Sequence, residues 1–492
     1  MLGLLAFSIN FQPLIQAMRL KISILFFILI PGILTAQYSD KQKRLGSMVL
    51  AVMDETYGIY HDSSMQAFVE KVGHNLEAHL DDQYKFQYFI TDQEELNAFA
   101  TAGGYVFVTR GLLGLINSED ELACVLGHEI THVTENHTTK TNRASILPKI
   151  LELPANIIGL LTVQEVANII NFPIEASSQL VISSFSRGQE RIADRKGVEL
   201  ALKAGYDPYM LPHVLEKMDQ FGETLYGMQH HFSLFDDHPM TEDRVELIYK
   251  QLEEMKVEKK EIQSGTTLPF QDGLIFGRNP RYGNIQDNAF VHGGLRAYIQ
   301  FPKSFSVQGT TKSVTAISPK GNSTIIVCID SLLNSPELTA KLELKALQGV
   351  DLIEQGKTRV NGLEAYRATM EYRQDKHHDL HSEILWIKLP ISNTIVRAVS
   401  IRPKEELDPR LDSCLMSIRQ LRFEELNQWF YYELNFLEGE LPKKHEKDQE
   451  TFLNFIRLMN DMEEDSTSVE QGELKVVNVR PIGDFRYPNL YR

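Results

Sequence analysis

Leu126-Gly127-His128-Glu129-Ile130-Thr131-His132 is the stretch on which the reading of this chain turns. It lies in a run whose apolar residues Leu122, Val125, Leu126, Ile130 and Val133 recur at helical spacing, opened by Ser118 with Glu121 three positions later. The pattern predicts a helix that is apolar on one side and carries the histidines. Residues four apart share a helix face, so His128 and His132 offer two imidazoles at a separation suited to one tetrahedral Zn²⁺. Neutral imidazoles bind zinc at about 2.0–2.1 Å and leave a fourth position for water, whose pKa falls to about 7 there. Glu129 projects beside them, placed to take the water's proton as general base.

A second helical stretch, residues 185–204, stops at Gly205 before Asp207-Pro208 and carries Glu190-Arg191-Ile192-Ala193-Asp194. Glu190 and Asp194 are four apart and share a face, which permits two readings. Glu190 can complete a site of two histidines and one glutamate while Asp194 orients a ligating histidine. Alternatively both carboxylates pair with Arg187, Arg191 or Arg195 on a solvated helix. Cys124, one turn before His128, reads as a small buried apolar residue. His137, five residues beyond His132, points away from the ligand face and reads as structural.

Working outward, residues 41–80 show three- and four-residue apolar spacing and predict two helices. Residues 85–90 and 105–109 read as strands, with Gly103-Gly104 supplying a turn between them. Residues 146–182 are rich in Ile and Leu but interrupted by Pro148, Pro154 and Pro173, so they predict short helices over the site or against a membrane surface, not one span. Past Gly273 the character changes to turn-bounded β-branched segments, with a helix candidate at 408–421. This predicts an antiparallel sheet with helices on one face. Residues 443–471 are charged and aromatic-poor, and they promise order only in a helix around 452–459.

The 492 residues exceed what one hydrophobic core organises, and 43% hydrophobic with 24% charged residues is ordinary for folded protein. A net charge of −16 without a dense Lys/Arg stripe excludes nucleic acid as a partner. Arg19 and Lys21 precede an apolar run over 22–34 that ends Leu34-Thr35-Ala36, the pattern of a secretory signal; Pro31-Gly32 and its shortness argue against an anchor. The division expected is a signal peptide at 1–36, a domain carrying the histidine helix at 37–272, an α+β domain at 273–425 and a charged tail with a short helix at 426–492. The three cysteines exclude a disulfide framework, though Cys328 and Cys414 could pair.

Tyr57-Gly58-Ile59-Tyr60, the segment from Asn97-Ala98-Phe99 through Gly103-Gly104 to Gly111-Leu112-Leu113, the histidine helix, Ser186-Arg187 with Glu190 to Gly197, and His238-Pro239 with Arg244 following occur in that order. Over about residues 45–248 the chain resembles the gluzincin-type zinc metallopeptidase family that includes the CAAX prenyl protease, HtpX and the soluble periplasmic BepA-like proteases. The resemblance implies one zinc per chain, held by His128, His132 and Glu190, with Asp194 and Arg244 behind the ligands. It implies that residues 97–109, including Asn97, Ala98, Phe99, Gly103 and Gly104, are an edge strand that pairs with extended substrate. It also implies that His238 lies near the metal, stabilising an oxyanion or resting in the open position. The family's tetratricopeptide repeats are not recognised here; residues 290–302 and 360–363 resemble an accessory domain of other exported members.

The expected fold is therefore α+β: a mainly α-helical gluzincin-type domain with a small edge sheet, followed by an α+β accessory domain. The expected protein is an exported zinc metalloendopeptidase, in the periplasm or outside the cell, for extended or misfolded polypeptides, with residues 146–182 lying over the site or making peripheral contact with a membrane surface. A client-holding chaperone with a closed metal site, and hydrolysis of a non-peptide bond, are the rival readings.

Overall fold

The computed structural model describes residues 38–486 apart from 82–83, 139–184, 227–242, 266, 312, 331–334, 347–349, 374–378, 441–448, 464–465 and 467. The signal region at 1–36, the apolar segment at 146–182 and His238 lie outside these residues. Among the described residues no helix is long and apolar enough to cross a membrane.

Short polar side chains set where the first helices begin. Ser39 and Gln42 form a capping box at α1 (Asp40–Thr56), and Asp62 accepts the first amides of α2 (Ser63–Glu77). Three strands follow: β1 (Gln87–Thr91), β2 (Ala98–Thr101) and β3 (Tyr105–Thr109). They form a sheet in the order β1-β3-β2, with β1 parallel and β2 antiparallel to β3. Residues 97–109 are thus a hairpin and not one strand, because Gly103 and Gly104 take φ of +101° and +81° and reverse the chain.

Helices α3 (Arg110–Leu115), α4 (Glu119–Thr134), α5 (Arg187–Lys203), α6 (Met210–Tyr226) and α7 (Arg244–Glu254) complete the first unit. Helix α4 carries the histidines and is buried all round from Glu121 to Val133, not on one side only. Its Leu122, Leu126 and Ile130 share a core with Val198 of α5 and with Leu211, Val214 and Met218 of α6.

The second unit begins at β4 (Ile275–Phe276) and runs through β5 (Asn284–Gln286), β6 (Ala289–His292), β7 (Ala297–Gln300), β8 (Ser306–Gly309), β9 (Ser313–Ile317) and β10 (Thr324–Asp330). After α8 (Pro336–Ala346) come β11 (Val350–Val360), β12 (Leu363–Arg373), β13 (Asp379–Leu389), β14 (Thr394–Pro403), α9 (Pro409–Met416) and β15 (Arg419–Gln420). The main sheet has seven antiparallel strands ordered β11-β12-β13-β14-β10-β9-β8. Alternate residues face opposite sides: Ile325, Val327, Leu385 and Ala398 meet Leu411 and Leu415 of α9, whereas Ile326, Trp386 and Val399 share a core with Ala340 of α8. The two helices lie on opposite faces, which corrects the expectation of one helical face. The same alternation puts Cys328 and Cys414 on opposite faces; all three cysteines are buried and unbridged, so the pairing is excluded.

The C-terminal residues carry more structure than their charge suggests. β16 (Phe430–Glu440), α10 (Gln449–Met459) and β17 (Ser468–Pro481) follow, with the strands forming a sheet in the order β17-β16-β4. Leu434, Phe455, Ile456, Leu474 and Val476 belong to the core of the first unit.

Candidate metal centre

The capping box of Ser186 and Gln189 starts α5 so that Glu190 falls in its first turn and Asp194 one turn on, with Glu190, Ala193, Asp194 and Gly197 buried along one face. That face meets α4 at two glycines. A Cβ on Gly127 would lie 2.9 Å from the carbonyl oxygen of Gly197, and one on Gly197 would lie 2.8 Å from the His128 amide nitrogen. Only this side-chain-free crossing lets the backbones approach closely enough for a short glutamate to reach the imidazoles.

The structure brings three predicted residues together. His128 Nε2 and His132 Nε2 are 3.0 Å apart, and the Glu190 carboxylate lies 3.5 Å from the first and 3.4 Å from the second. All three donor atoms fall within 4.8 Å of one another and are buried. Two imidazole nitrogens and a carboxylate oxygen are the donor set that Zn²⁺ takes where a fourth position is left for chemistry, so the residues fit that ion. Glu121, His213 and Asp461 converge similarly, but the Lys217 ammonium lies 2.7 Å from Asp461 and supplies the cation there.

Behind the donors lies a second set of contacts. Asp194 Oδ1 is 2.9 Å from His128 Nδ1, and Arg244 donates to both oxygens of Asp194 at 2.8 and 2.9 Å. Arg244 Nη2 also approaches Glu190 at 3.2 Å. Burial by itself raises the Asp194 carboxyl, but Arg244 and the His128 hydrogen bond outweigh it and hold the group well below the usual carboxylate range. The reading in which Glu190 and Asp194 pair on a solvated helix is thereby overturned; both are buried, and their cation is Arg244 from α7.

Glu129 accepts the Ala100 amide of β2 on Oε2 at 3.1 Å. Burial pushes its carboxyl up to about 8; His128 opposes the rise and the charge of Glu190 adds to it, while the Ala100 bond and Arg244 oppose it. A carboxyl in that range exchanges protons readily near neutrality.

Of the residues assigned to substrate, Asn97 and Thr109 form a bonded pair, the Thr109 amide donating to the Asn97 carbonyl at 3.0 Å. Antiparallel alternation then turns the backbone groups of Ala98 and Ala100 off the sheet, toward α4, consistent with the Ala100 amide reaching Glu129. The Phe99 ring stacks on Phe107 at 4.8 Å, and Gly103 and Gly104 sit against Gln42 and Lys85.

Sequence reasoning missed three neighbours. Asn136 takes φ of +57° just past α4 and curls the chain back, so that His137 is buried with Nδ1 3.2 Å from His132 Nδ1. It does not point away from the ligands. Phe185 stacks on the His132 ring at 3.8 Å between centroids. Gly127, beside His128, and Gly197, seven residues beyond Glu190, were the available sign of a close helix crossing.

Residues 60–252 match a family described as Peptidase family M48. The chain is 27% identical over 184 residues to the beta-barrel assembly-enhancing protease of Yersinia pestis, covering 36% of this chain and 38% of that protein. It is 31% identical over 159 residues to metalloprotease LoiP of Escherichia coli (strain K12), covering 32% and 58% respectively. To a mitochondrial metalloendopeptidase of Arabidopsis thaliana it is 28% identical over 184 residues, covering 37% and 35%. The chain thus spans less than two thirds of the length of each of these curated relatives.

Proposed function

This chain carries a domain of peptidase family M48 across residues 60–252, and from that premise we propose that it is a zinc-dependent metalloendopeptidase that cleaves extended polypeptide. One observation carries the reading: the Glu129 carboxylate, next in the chain to His128, accepts the outward-facing Ala100 amide of β2, which sets that strand edge against the helix that carries two of the three donors. A peptide paired with Ala98 and Ala100 as an added strand is thereby laid along the donors.

His128, His132 and Glu190 would hold one zinc, which supplies Lewis acidity toward a scissile carbonyl and lowers the pKa of water. Glu129 removes the proton of the attacking water at its carboxylate and returns it to the leaving amine. Asp194, clamped by Arg244, fixes the His128 tautomer with Nε2 toward the donors. Ala98 and the Ala100 carbonyl bind main chain, so recognition favours extended, poorly folded segments over a particular side chain. His238 is assigned the oxyanion-stabilising role. The secretory-signal pattern of residues 1–36 and a relative named for β-barrel assembly support a place in envelope protein quality control.

The test uses purified, zinc-loaded protein and a permanently unfolded polypeptide such as reduced casein. Wild type is expected to cleave it, chelation to stop cleavage and zinc to restore it. Glu129→Gln should lower the rate by roughly 10²–10⁴-fold. Equal rates for the two proteins reject the catalytic assignment, and client binding without cleavage by either supports the client-holding alternative.

A further inference from the structure

The two histidines of the proposed zinc site are oriented by chemically different partners. His128 has a carboxylate on its Nδ1, from Asp194 at 2.9 Å. His132 has another imidazole, the Nδ1 of His137 at 3.2 Å. With Nε2 of His132 turned to Glu190 and His128, the ring that offers a lone pair there carries its proton on Nδ1. That proton needs an acceptor, and the His137 Nδ1 is in place to accept it. A histidine that accepts on Nδ1 is neutral and carries its own proton on Nε2.

We propose that His137 is a positioning residue for His132: it fixes the tautomer and ring plane of that ligand by accepting its Nδ1 proton, while Phe185 packs on the ring face. The assignment rests on reading His128, His132 and Glu190 as the zinc site. Three features of the fold support it. α4 ends at Thr134, the left-handed Asn136 returns the chain, and the imidazole so delivered is 3% exposed and edge-on to its target, with 69° between the rings. A histidine retained only for packing has no reason to meet the ligand nitrogen to nitrogen. The asymmetry also has a chemical consequence. Asp194 lends negative charge to His128, whereas His137 orients His132 without adding a further anion to a pocket that already holds Glu129, Glu190 and Asp194.

The experiment is zinc affinity by competition with a chromophoric chelator, together with the visible spectrum of the cobalt-substituted protein, for wild type, His137→Gln and His137→Phe. Gln keeps an acceptor oxygen, whereas Phe fills the volume without one. His137→Phe is expected to lose roughly 10–100-fold in zinc affinity and to show an altered cobalt spectrum, with His137→Gln recovering most of both. Equal affinities and spectra in all three proteins, or equal losses in both variants, overturn the proposal. A wild type that binds no zinc overturns the site reading itself. Should a variant fail to fold, long-range ¹H–¹⁵N spectra of the wild-type zinc form read the same bond unaltered. A protonated His132 Nδ1 facing a bare His137 Nδ1 supports the assignment, and the reverse refutes it.

Discussion

His292, at the end of β6, shows how one buried side chain makes stability depend on pH. Its Nδ1 accepts the Leu295 amide at 3.2 Å, and burial brings its imidazole down to about 4, with the charge of Arg278 adding to the effect. An unfolded chain takes a proton at this residue near pH 6.5, which the folded chain refuses until about pH 4. Its contribution is therefore whole above the unfolded value and falls as pH drops through that window, by about 3 kcal/mol in all. His292→Asn keeps an acceptor and does not titrate. Urea unfolding at pH 7 and pH 4.5 is expected to show a smaller acid loss in the variant than in wild type, and equal losses would disprove the claim. Legibility in the sequence follows the same local logic. His128, Glu129 and His132 were readable because a helix fixes their relation within five residues. Arg244 behind Asp194 came only with the resemblance, and His137 was misdirected because its direction depends on one left-handed residue.

At the scale of elements, the centre depends on how closely α4 and α5 cross, and two glycines of α5 separate closeness from helix propensity. Gly197 has no room for a Cβ, which would lie 2.8 Å from the His128 nitrogen, whereas Gly188 has nothing within 4 Å. Gly197→Ala should push α5 off α4, cost roughly 1–3 kcal/mol and weaken zinc binding by carrying Glu190 away. Gly188→Ala should be neutral or stabilising by roughly 0.5–1 kcal/mol with zinc affinity unchanged. Thermal melts and zinc titrations of the pair check both, and an unaltered zinc affinity in Gly197→Ala would refute the crossing argument. Both helices were visible in advance because their caps and apolar periods are local. Ser118 accepts the Glu121 amide as the motif predicts, although the Glu121 carboxylate turns to the Asn117 amide at 2.9 Å. Strand β17 escaped notice because it adjoins the charged stretch over 443–471 and places the charged Lys475 at a buried position, where sequence pattern leads one to expect an apolar residue.

Taken whole, the molecule closes its first core with residues from its far end. Lys475 of β17 donates from Nζ to the carbonyls of Gly114 and Leu115 at 3.0 and 3.1 Å and to Asn117 Oδ1 at 2.6 Å, across some 358 residues of sequence. Gln271 donates to Leu113 and Ile116 at 2.8 and 2.7 Å, so the last turn of α3 is satisfied from outside the helix. Arg110 reaches the carbonyls of Ile275 and Gly277, and Asn279 donates to Asp92 at 2.6 Å, stitching the start of the second unit to the first sheet. α3 leads directly into the Asn117 turn from which α4 starts, so these contacts bear on the histidine helix. Lys475→Met keeps the volume and removes the donor, leaving buried carbonyls unmatched. It should cost roughly 1–3 kcal/mol for each acceptor left without a partner, read as a lower urea midpoint of the full chain. Removing residues 426–492 should do more, because it also exposes Leu434, Ile456 and Leu474 from the shared core. A truncated protein that melts cooperatively at the wild-type temperature and binds zinc as tightly would show the peptidase unit to be complete without its C-terminal residues; loss of both would show that it is assembled from both ends of the chain.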